Sequence, residues 1–189
     1  TKEHSIFLYA NYYGGAGVGI GDFDNDGLED IFFAANLLDD KIYKNLGNLE
    51  FEDKTKMSGI INNGSWSTGV TVADVNNDGL LDIYVSCELY DDAPVLRRNK
   101  LYINQGSFKF KESASEWGVD VDRRTRHSVF FDYNKDGLLD LYLLNHPPNT
   151  GNFSPFFGKD MSLPEYNLQL FENKGNHFVD VTESAGLNR

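Results

Sequence analysis

The chain has 189 residues, of which 40% are hydrophobic, 24% charged and 14% aromatic, which is typical of one folded domain and not of a disordered tail. Its 17 basic and 29 acidic residues give a net charge of −12, which excludes attraction to a nucleic-acid backbone by net charge. The single cysteine, Cys87, excludes an internal disulfide framework and a cysteine-based zinc site. We expect no nucleic-acid partner.

The sequence contains no apolar run near the roughly 18 residues that a membrane-spanning helix needs. We therefore expect a protein that does not span a membrane. The first residues, Thr1–His4, lack the charged and apolar regions of a secretory signal, so we expect any export signal to have been removed.

One acidic motif occurs three times, beginning at Asp22, Asp74 and Asp132, with spacings of 52 and then 58 residues. An Asn-x-Gly triplet follows each copy at a variable distance, beginning at Asn45, Asn104 or Asn173. Each unit then ends on a segment centred on glycine: Gly59, Gly118 and Gly186. The repeating unit is therefore a whole supersecondary structure and not an isolated loop.

Short runs of β-branched and aromatic residues flank the acidic motifs, for example Ile31–Phe33 and Ile83–Val85, whereas helical periodicity is nearly absent. The Asn-x-Gly triplets are suited to tight hairpins because both residues tolerate positive φ. Each unit is predicted to form four antiparallel strands, named a to d. The acidic loop joins a to b, a longer loop joins b to c, and the hairpin joins c to d. The predicted fold is all-β, with three four-stranded antiparallel blades of a β-propeller.

Each acidic loop has oxygen-bearing side chains at positions 1, 3, 5 and 9 and glycine at position 6, while residue 7 can add its main-chain carbonyl. Such a loop suits a hard cation, and calcium tolerates its flexibility better than magnesium does. Zinc and copper are disfavoured because neither histidine nor cysteine contributes. Three Ca²⁺ sites are predicted, with these ligands: Asp22, Asp24, Asp26, Leu28 and Asp30; Asp74, Asn76, Asp78, Leu80 and Asp82; Asp132, Asn134, Asp136, Leu138 and Asp140.

The ligand positions hold ten carboxylates, set against a net charge of −12. Three calcium ions would reduce that charge to about −6, and without a cation the crowded carboxylates repel one another. The alternative is that Asp, Asn and Gly serve only as turn formers, although three copies in register argue against it. An EF-hand is excluded because it needs a glutamate at position 12, where this chain has Phe33, Val85 and Leu143.

At these residues the chain resembles the FG-GAP and VCBS repeat family, which includes the seven-bladed propellers of integrin α subunits. The shared calcium-loop pattern is D-x-[DN]-x-D-G-x-x-D. With the Asn-x-Gly triplets and the closing glycine segments, the chain looks most similar to bacterial surface VCBS repeat proteins and to ASPIC/UnbV-type relatives of cartilage acidic protein. The resemblance covers about residues 10 to 189. It implies an extracytoplasmic, calcium-stabilised propeller used for adhesion, ligand binding or as a scaffold.

Three blades cannot close a ring, because propellers typically have about 4 to 8. We expect a larger propeller of about seven blades, with the remaining blades in the same longer chain; closure by oligomerisation is the alternative. The predicted divisions are residues 1–15 as the leading strand of a neighbouring blade, 16–62 as blade 1, 63–121 as blade 2 and 122–189 as blade 3.

The predicted partner face lies opposite the calcium loops, where the b–c connections lengthen. From the last acid of each loop to the hairpin asparagine there are 15, 22 and then 33 residues. Long loops on a rigid scaffold commonly carry function. The candidate partner-binding residues are Arg97, Arg98, Arg123, Arg124, Arg126, Phe153, Phe156 and Phe157. The alternative is that the phenylalanines only pack the insertion and the arginines are solvated or pair with nearby acids.

The sequence thus predicts a non-enzymatic, calcium-binding module at the cell surface or outside the cell, with a bacterial outer-membrane surface as the first expectation. Its partner would be a protein or an acidic glycan. Two alternatives stay open: the propeller portion of a polysaccharide-degrading lyase or hydrolase, and a scaffold within an outer-membrane complex. No nucleophile elbow, paired-histidine motif or phosphate loop is evident.

Overall fold

The computed structural model describes residues 15–36, 38–89, 93–146 and 168–187. The described residues form three four-stranded antiparallel sheets in which each strand pairs with its neighbours in chain order. The all-β prediction and the four-strand unit are confirmed. The acidic loops join the first and second strands, and the Asn-x-Gly hairpins join the third and fourth.

The twelve strands fall into three equivalent sets. The first sheet contains β1 (Val18–Gly21), β2 (Asp30–Phe33), β3 (Lys41–Asn45) and β4 (Phe51–Asp53). The second contains β5 (Trp66–Ala73), β6 (Asp82–Glu88), β7 (Lys100–Asn104) and β8 (Phe110–Glu112). The third contains β9 (Thr125–Phe131), β10 (Asp140–Asn145), β11 (Gln169–Asn173) and β12 (Phe178–Asp180). Because pairing is antiparallel throughout, acidic loops and hairpins share one end of each sheet, and the longer b–c connections lie at the other end.

Single helical turns follow the fourth strand of the first two sheets and were not predicted. They are α1 (Thr55–Ser58) and α2 (Ala114–Trp117), and each ends at a glycine with positive φ, Gly59 at 85° or Gly118 at 74°. Glycine suits this left-handed C-terminal position because it has no Cβ. Four residues are too few to produce a helical hydrophobic period, which explains why the sequence pattern did not indicate them. A 3₁₀ turn, Pro94–Arg97, lies in the second b–c connection.

The second sheet packs on both of its faces. Successive side chains of β6 point to opposite sides, as in any strand. Ile83 and Val85 join a core with Phe32 of the first sheet, whereas Tyr84 joins a core with Leu141 of the third sheet. Full burial of one such side chain is worth about 1.5–3 kcal/mol, so the two seams between sheets are the main cores of the described structure.

Glycines let the first strands of adjacent sheets approach closely. A Cβ on Gly17 would lie 2.5 Å from the main-chain nitrogen of Val70, and one on Gly69 would lie 2.9 Å from the main-chain oxygen of Arg126. No other residue fits at this backbone separation without displacing a strand. The first strands of the three sheets, β1, β5 and β9, therefore lie side by side and fix the positions of the three acidic loops.

Candidate metal sites and partner surface

The first aspartate of each acidic loop organises the loop backbone. In the first loop, the N–H groups of Asp26 and Gly27 donate to the two carboxylate oxygens of Asp22, at 3.0 and 2.8 Å. The same pair of hydrogen bonds recurs at Asp74 and at Asp132, with lengths between 2.8 and 3.1 Å. The loops therefore share one conformation, in which several N–H groups converge on each anchoring carboxylate.

The curl of each loop depends on two consecutive features of the backbone. The residue at position 4 has a positive φ of 57° at Asn25, 56° at Asn77 and 62° at Lys135. The glycine at position 6 has φ of 90°, 85° or 89° in the three loops. Asparagine and glycine are the residues that adopt this region most readily, so the local sequence directly produces the turn.

The aspartate at position 9 ties each loop to the hairpin of its own sheet. Asp82 is buried and accepts hydrogen bonds from the N–H groups of Val75 and Asn104, at 3.0 and 2.8 Å. Asp30 and Asp140 make the same two contacts in their sheets. Burial raises the pKa of Asp82 to about 7 and raises the pKa values of the other two above their usual range, although the N–H donors oppose this.

The donor set of the first loop fits a hard cation. Asp22, Asp24 and Asp30 each offer a carboxylate oxygen, and these oxygens lie within 4.8 Å of one another. Oδ1 of Asp24 is buried and has no hydrogen-bond partner, so it is free to act as a ligand. All candidate donors are oxygens, which suits calcium. Among the described residues, only this loop brings three carboxylates so close together. Every ligand assignment in the three loops, including the main-chain carbonyls of Leu28, Leu80 and Leu138, stays a prediction.

Positions 3 and 5 are bridged by nitrogen in every loop. In the second and third loops the side-chain amides of Asn76 and Asn134 donate to the aspartate two residues later, at 2.8 and 2.9 Å. In the first loop the Nζ of Lys44 contacts both Asp24 and Asp26. The two carboxylates raise the pKa of the Lys44 ammonium above its usual value. In each loop, a nitrogen group therefore contacts side-chain oxygens that the proposed cation would also contact.

Sequence reasoning missed Lys44 and its counterpart Glu172. Both directly precede the hairpin asparagine, and Ile103 is the equivalent residue of the second sheet. Glu172 accepts a hydrogen bond from Asn134 at 3.0 Å and lies 2.7 Å from the Nζ of Lys174. A comparison of the three repeats could have found them. The residue before the hairpin asparagine is a cation in the first repeat, apolar in the second and an anion in the third, although the acidic loops are similar.

The hairpin asparagines join neighbouring sheets. Nδ2 of Asn173 donates to the main-chain carbonyl of Val75 in the second loop, at 2.8 Å, and to that of Leu139 in its own sheet, at 3.0 Å. Asn25 reaches from the first loop to the carbonyl of Gly79 in the second, at 3.1 Å. The first and second acidic loops are therefore each held both by their own sheet and by the next one along the chain.

The five predicted partner-binding arginines lie at the opposite end of the sheets from the acidic loops, and all five have interactions within the chain. Nε of Arg97 donates to the carbonyl of Asp122 at 2.6 Å, and Arg98 pairs with Asp120. Arg126 pairs with Glu88 at 2.8 Å. Pairing with nearby acids, the alternative left open above, thus applies to Arg98 and Arg126, while Arg123 and Arg124 also have interactions. Phe153, Phe156 and Phe157 lie outside the described residues.

Glu88 forms a buried polar cluster that sequence reasoning did not find. It is fully buried at the end of β6, and its two oxygens contact Arg126 and Nε2 of His146 in the third sheet. These partners are 38 and 58 residues away in sequence, so no local motif indicates them. The cluster joins the second and third sheets at the end opposite the acidic loops.

A groove of about 310 Å³ opens at this same end of the second sheet. Exposed apolar side chains line it together with charged ones, and Val95 on the 3₁₀ turn is 70% exposed. Its lining includes Ile61, Val95, Arg98, Lys100, Glu112 and Asp120.

The family model described as FG-GAP-like repeat matches residues 22–85. The chain carries FG-GAP-like repeat sequence. The match begins at Asp22, the first carboxylate of the first loop, and ends at Val85 within β6, so it includes the first two acidic loops. The third loop follows the FG-GAP-like segment and has the same hydrogen bonds. The resemblance inferred from the motifs is confirmed.

A comparison with curated proteins gave no match. Within the part of the chain that the structure describes, no helix has the length and apolar character needed to cross a membrane.

Proposed function

We propose that each of the three acidic loops binds a calcium ion, and that the protein is an extracellular or cell-surface β-propeller module that binds a protein or a glycan. The single observation that carries the proposal is the recurrence of one acidic loop conformation, with the same backbone hydrogen bonds, at the same turn of three sheets. Turn formation alone does not require an acid at positions 1, 5 and 9 of every copy.

The proposed calcium ions are structural. Bound calcium supplies positive charge to oxygens that otherwise repel one another. Hydrogen bonds connect the second loop to the first. Asp82 of the second loop accepts from the N–H of Asn104, and the side chain of Asn104 donates to the carbonyl of Phe23 in the first loop. Holding the loop carboxylates in place therefore also holds the seam between the sheets.

The exposed outer faces of the sheets support the proposal that further blades continue the propeller. Phe33 is 42% exposed, whereas Val85, at the equivalent position of the second sheet, is fully buried against the first. Tyr142 of the third sheet is only partly buried, whereas its equivalent, Tyr84, is fully buried. Among the described residues, these two faces have the apolar character of a seam but no neighbouring sheet.

The proposed partner surface is the end opposite the calcium loops. The argument rests on the groove at Val95 and on the arginine-rich segments beside it, which stand out in a protein of net charge −12. An acidic glycan or an acidic protein surface is complementary to such a local concentration of arginines. The proposed role is binding and not catalysis, with a bacterial outer-membrane surface as the proposed location.

Thermal melting in calcium and in excess chelator tests the metal sites. Calcium at 100 times its dissociation constant stabilises the folded state by about 2.7 kcal/mol per site. We expect a clearly higher melting temperature in calcium. Asp78→Ala should weaken calcium binding at the second loop, whereas Asn77→Gly, which keeps the positive φ, is the matched control and should not. Identical melting in both buffers would remove the proposed metal role.

Binding to an array of acidic glycans, followed by the double variant Arg123→Ser/Arg124→Ser, tests the partner surface. We expect the variant to lose glycan binding while keeping the calcium-dependent melting of the wild type. Binding that survives the substitution would exclude these arginines as the contact. Turnover of a uronic-acid polymer by the unmodified protein would instead favour a polysaccharide-degrading enzyme.

A further inference from the structure

Lys44 is the residue that makes the first acidic loop different from the other two. Its Nζ lies 2.6 Å from Oδ2 of Asp26 and also contacts Oδ2 of Asp24. These are loop positions 3 and 5, which a loop-bound cation would bridge. The ammonium group therefore lies between the same carboxylates that the proposed calcium ion needs.

The environment of Lys44 holds the ammonium in this place. Its side chain is only 20% exposed, and Asp24 is 17% exposed, so solvent screens the contact less than it screens a surface pair. The Nζ also lies 5.5 Å from the ring centre of Phe108, which belongs to the second sheet. A cation above an aromatic face gains further attraction. The lysine is thus fixed between the first loop and the neighbouring hairpin.

The charges of the three loops show what Lys44 compensates. The first loop has aspartate at position 3, whereas the second and third have Asn76 and Asn134, so it carries four carboxylates where they carry three. Adding the Lys44 ammonium gives the first loop a charge of −3, equal to that of the second loop, where Ile103 adds none. In the third sheet Glu172 adds a negative charge and pairs with Lys174. The extra carboxylate and the lysine occur together in the same sheet.

We propose that Lys44 is a tethered counter-ion of the first acidic loop that competes with calcium there, so that this loop binds calcium more weakly than the second and third loops. This inference rests on the proposed calcium binding. Calcium reaches Oδ2 of Asp24 and Oδ2 of Asp26 only when the ammonium moves away, whereas the other loops need only a rotation of an asparagine amide. The first loop is consequently ordered by the chain itself when calcium is scarce.

Calorimetric titration of the full chain with Ca²⁺ tests the competition. We expect two tighter sites and one weaker site in the wild type, and Lys44→Met should raise the affinity of the weaker site by roughly tenfold or more. Lys41→Met is the matched control because it removes the same charge from the same strand, while Lys41 pairs only with exposed Asp53 among the described residues. This control should leave all three affinities unchanged.

Melting in chelator gives a second readout that does not need bound calcium. Lys44→Met should lower the melting temperature there, because four carboxylates then lose their counter-ion, and Lys41→Met should not. The double variant Asp24→Asn/Lys44→Met guards against misfolding, since it gives the first loop the donor set and charge of the second. We expect the double variant to fold and to bind calcium at the first loop about as tightly as at the second.

The possible failures are distinguishable. Calcium binding that Lys44→Met and the double variant leave unchanged at every site would overturn the inference about Lys44 and leave the calcium sites in place. No calcium binding by any variant would overturn the proposed function, and the competition with it.

Discussion

Asn104 of the second sheet donates its side-chain amide to the main-chain carbonyl of Phe23 in the first acidic loop, at 2.9 Å and in a buried position. The same amide also reaches the carbonyl of Leu81 in its own sheet, at 3.0 Å. One hairpin side chain thus connects two acidic loops that are more than fifty residues apart in sequence. Asn173 repeats the arrangement at the next seam.

Asn104→Ala should therefore cost more than the same change at Asn45. It leaves the buried carbonyl group of Phe23 and the partly buried one of Leu81 without this donor, and an unpaired buried group costs about 1–3 kcal/mol. Asn45 donates only to Glu29 of its own sheet among the described residues. Urea unfolding of both variants measures the difference, and equal losses would show that the contact across the seam contributes nothing.

Gly17→Ala should separate the first two sheets. The new Cβ would meet the main-chain nitrogen of Val70 at 2.5 Å, and a backbone atom cannot move without shifting β5. We expect a loss of about 1–3 kcal/mol of folding free energy, as for other overpacked sites. At Gly21 the new Cβ would meet a terminal methyl group of Leu81, which can rotate away. Gly21→Ala is therefore the control, and denaturation midpoints should rank the two in that order.

Glu88→Ala should destabilise the protein strongly. It removes the buried carboxylate between Arg126 and His146, and each lost hydrogen bond to a charged group costs about 1.5–3 kcal/mol. The exposed pair of Lys111 and Glu116 is the comparison, since both of its side chains are well solvated. Glu116→Ala should leave the unfolding midpoint unchanged. A small effect at Glu88 would mean that the second seam does not depend on this cluster.

Asp40 should make stability depend on pH. It is buried and accepts hydrogen bonds from Ala35, Asn62 and Ser67, yet burial raises its pKa above the usual 3.8. The folded state then binds a proton more readily than the unfolded state does, so this contribution to stability grows as the pH falls through the folded pKa towards 3.8. Each unit of difference between the two pKa values is worth about 1.4 kcal/mol.

Asp40→Asn removes this contribution because the amide does not titrate. The free energy of unfolding of the wild type relative to Asp40→Asn should be greater at pH 5 than at pH 8, measured by urea in chelator. The charged and titratable neighbours are Lys100, Cys87 and Tyr102, and the variant retains all three. Parallel pH profiles for the two proteins would contradict the role of Asp40.

The repeat pattern was enough to predict the sheets and the conformation of the acidic loops. Asp22 and Gly27 act on backbone groups within five residues, so their effect can be inferred from spacing alone. The alternation of Ile83, Tyr84 and Val85 likewise follows from the geometry of a strand. The short helices were missed because four residues do not establish a period.

By itself, the sequence determined the number of acidic loops, the order of strands within each sheet and the FG-GAP-like repeat pattern of residues 22–85. Only the tertiary structure decided that Lys44 enters the first loop and that Glu88 meets His146, which is 58 residues away. The physical reason is range: a turn or a strand is set by its own few residues, whereas these contacts join residues 20 and 58 positions apart, which meet only after strands have paired and sheets have packed. Contacts between residues distant in sequence therefore make three similar motifs unequal.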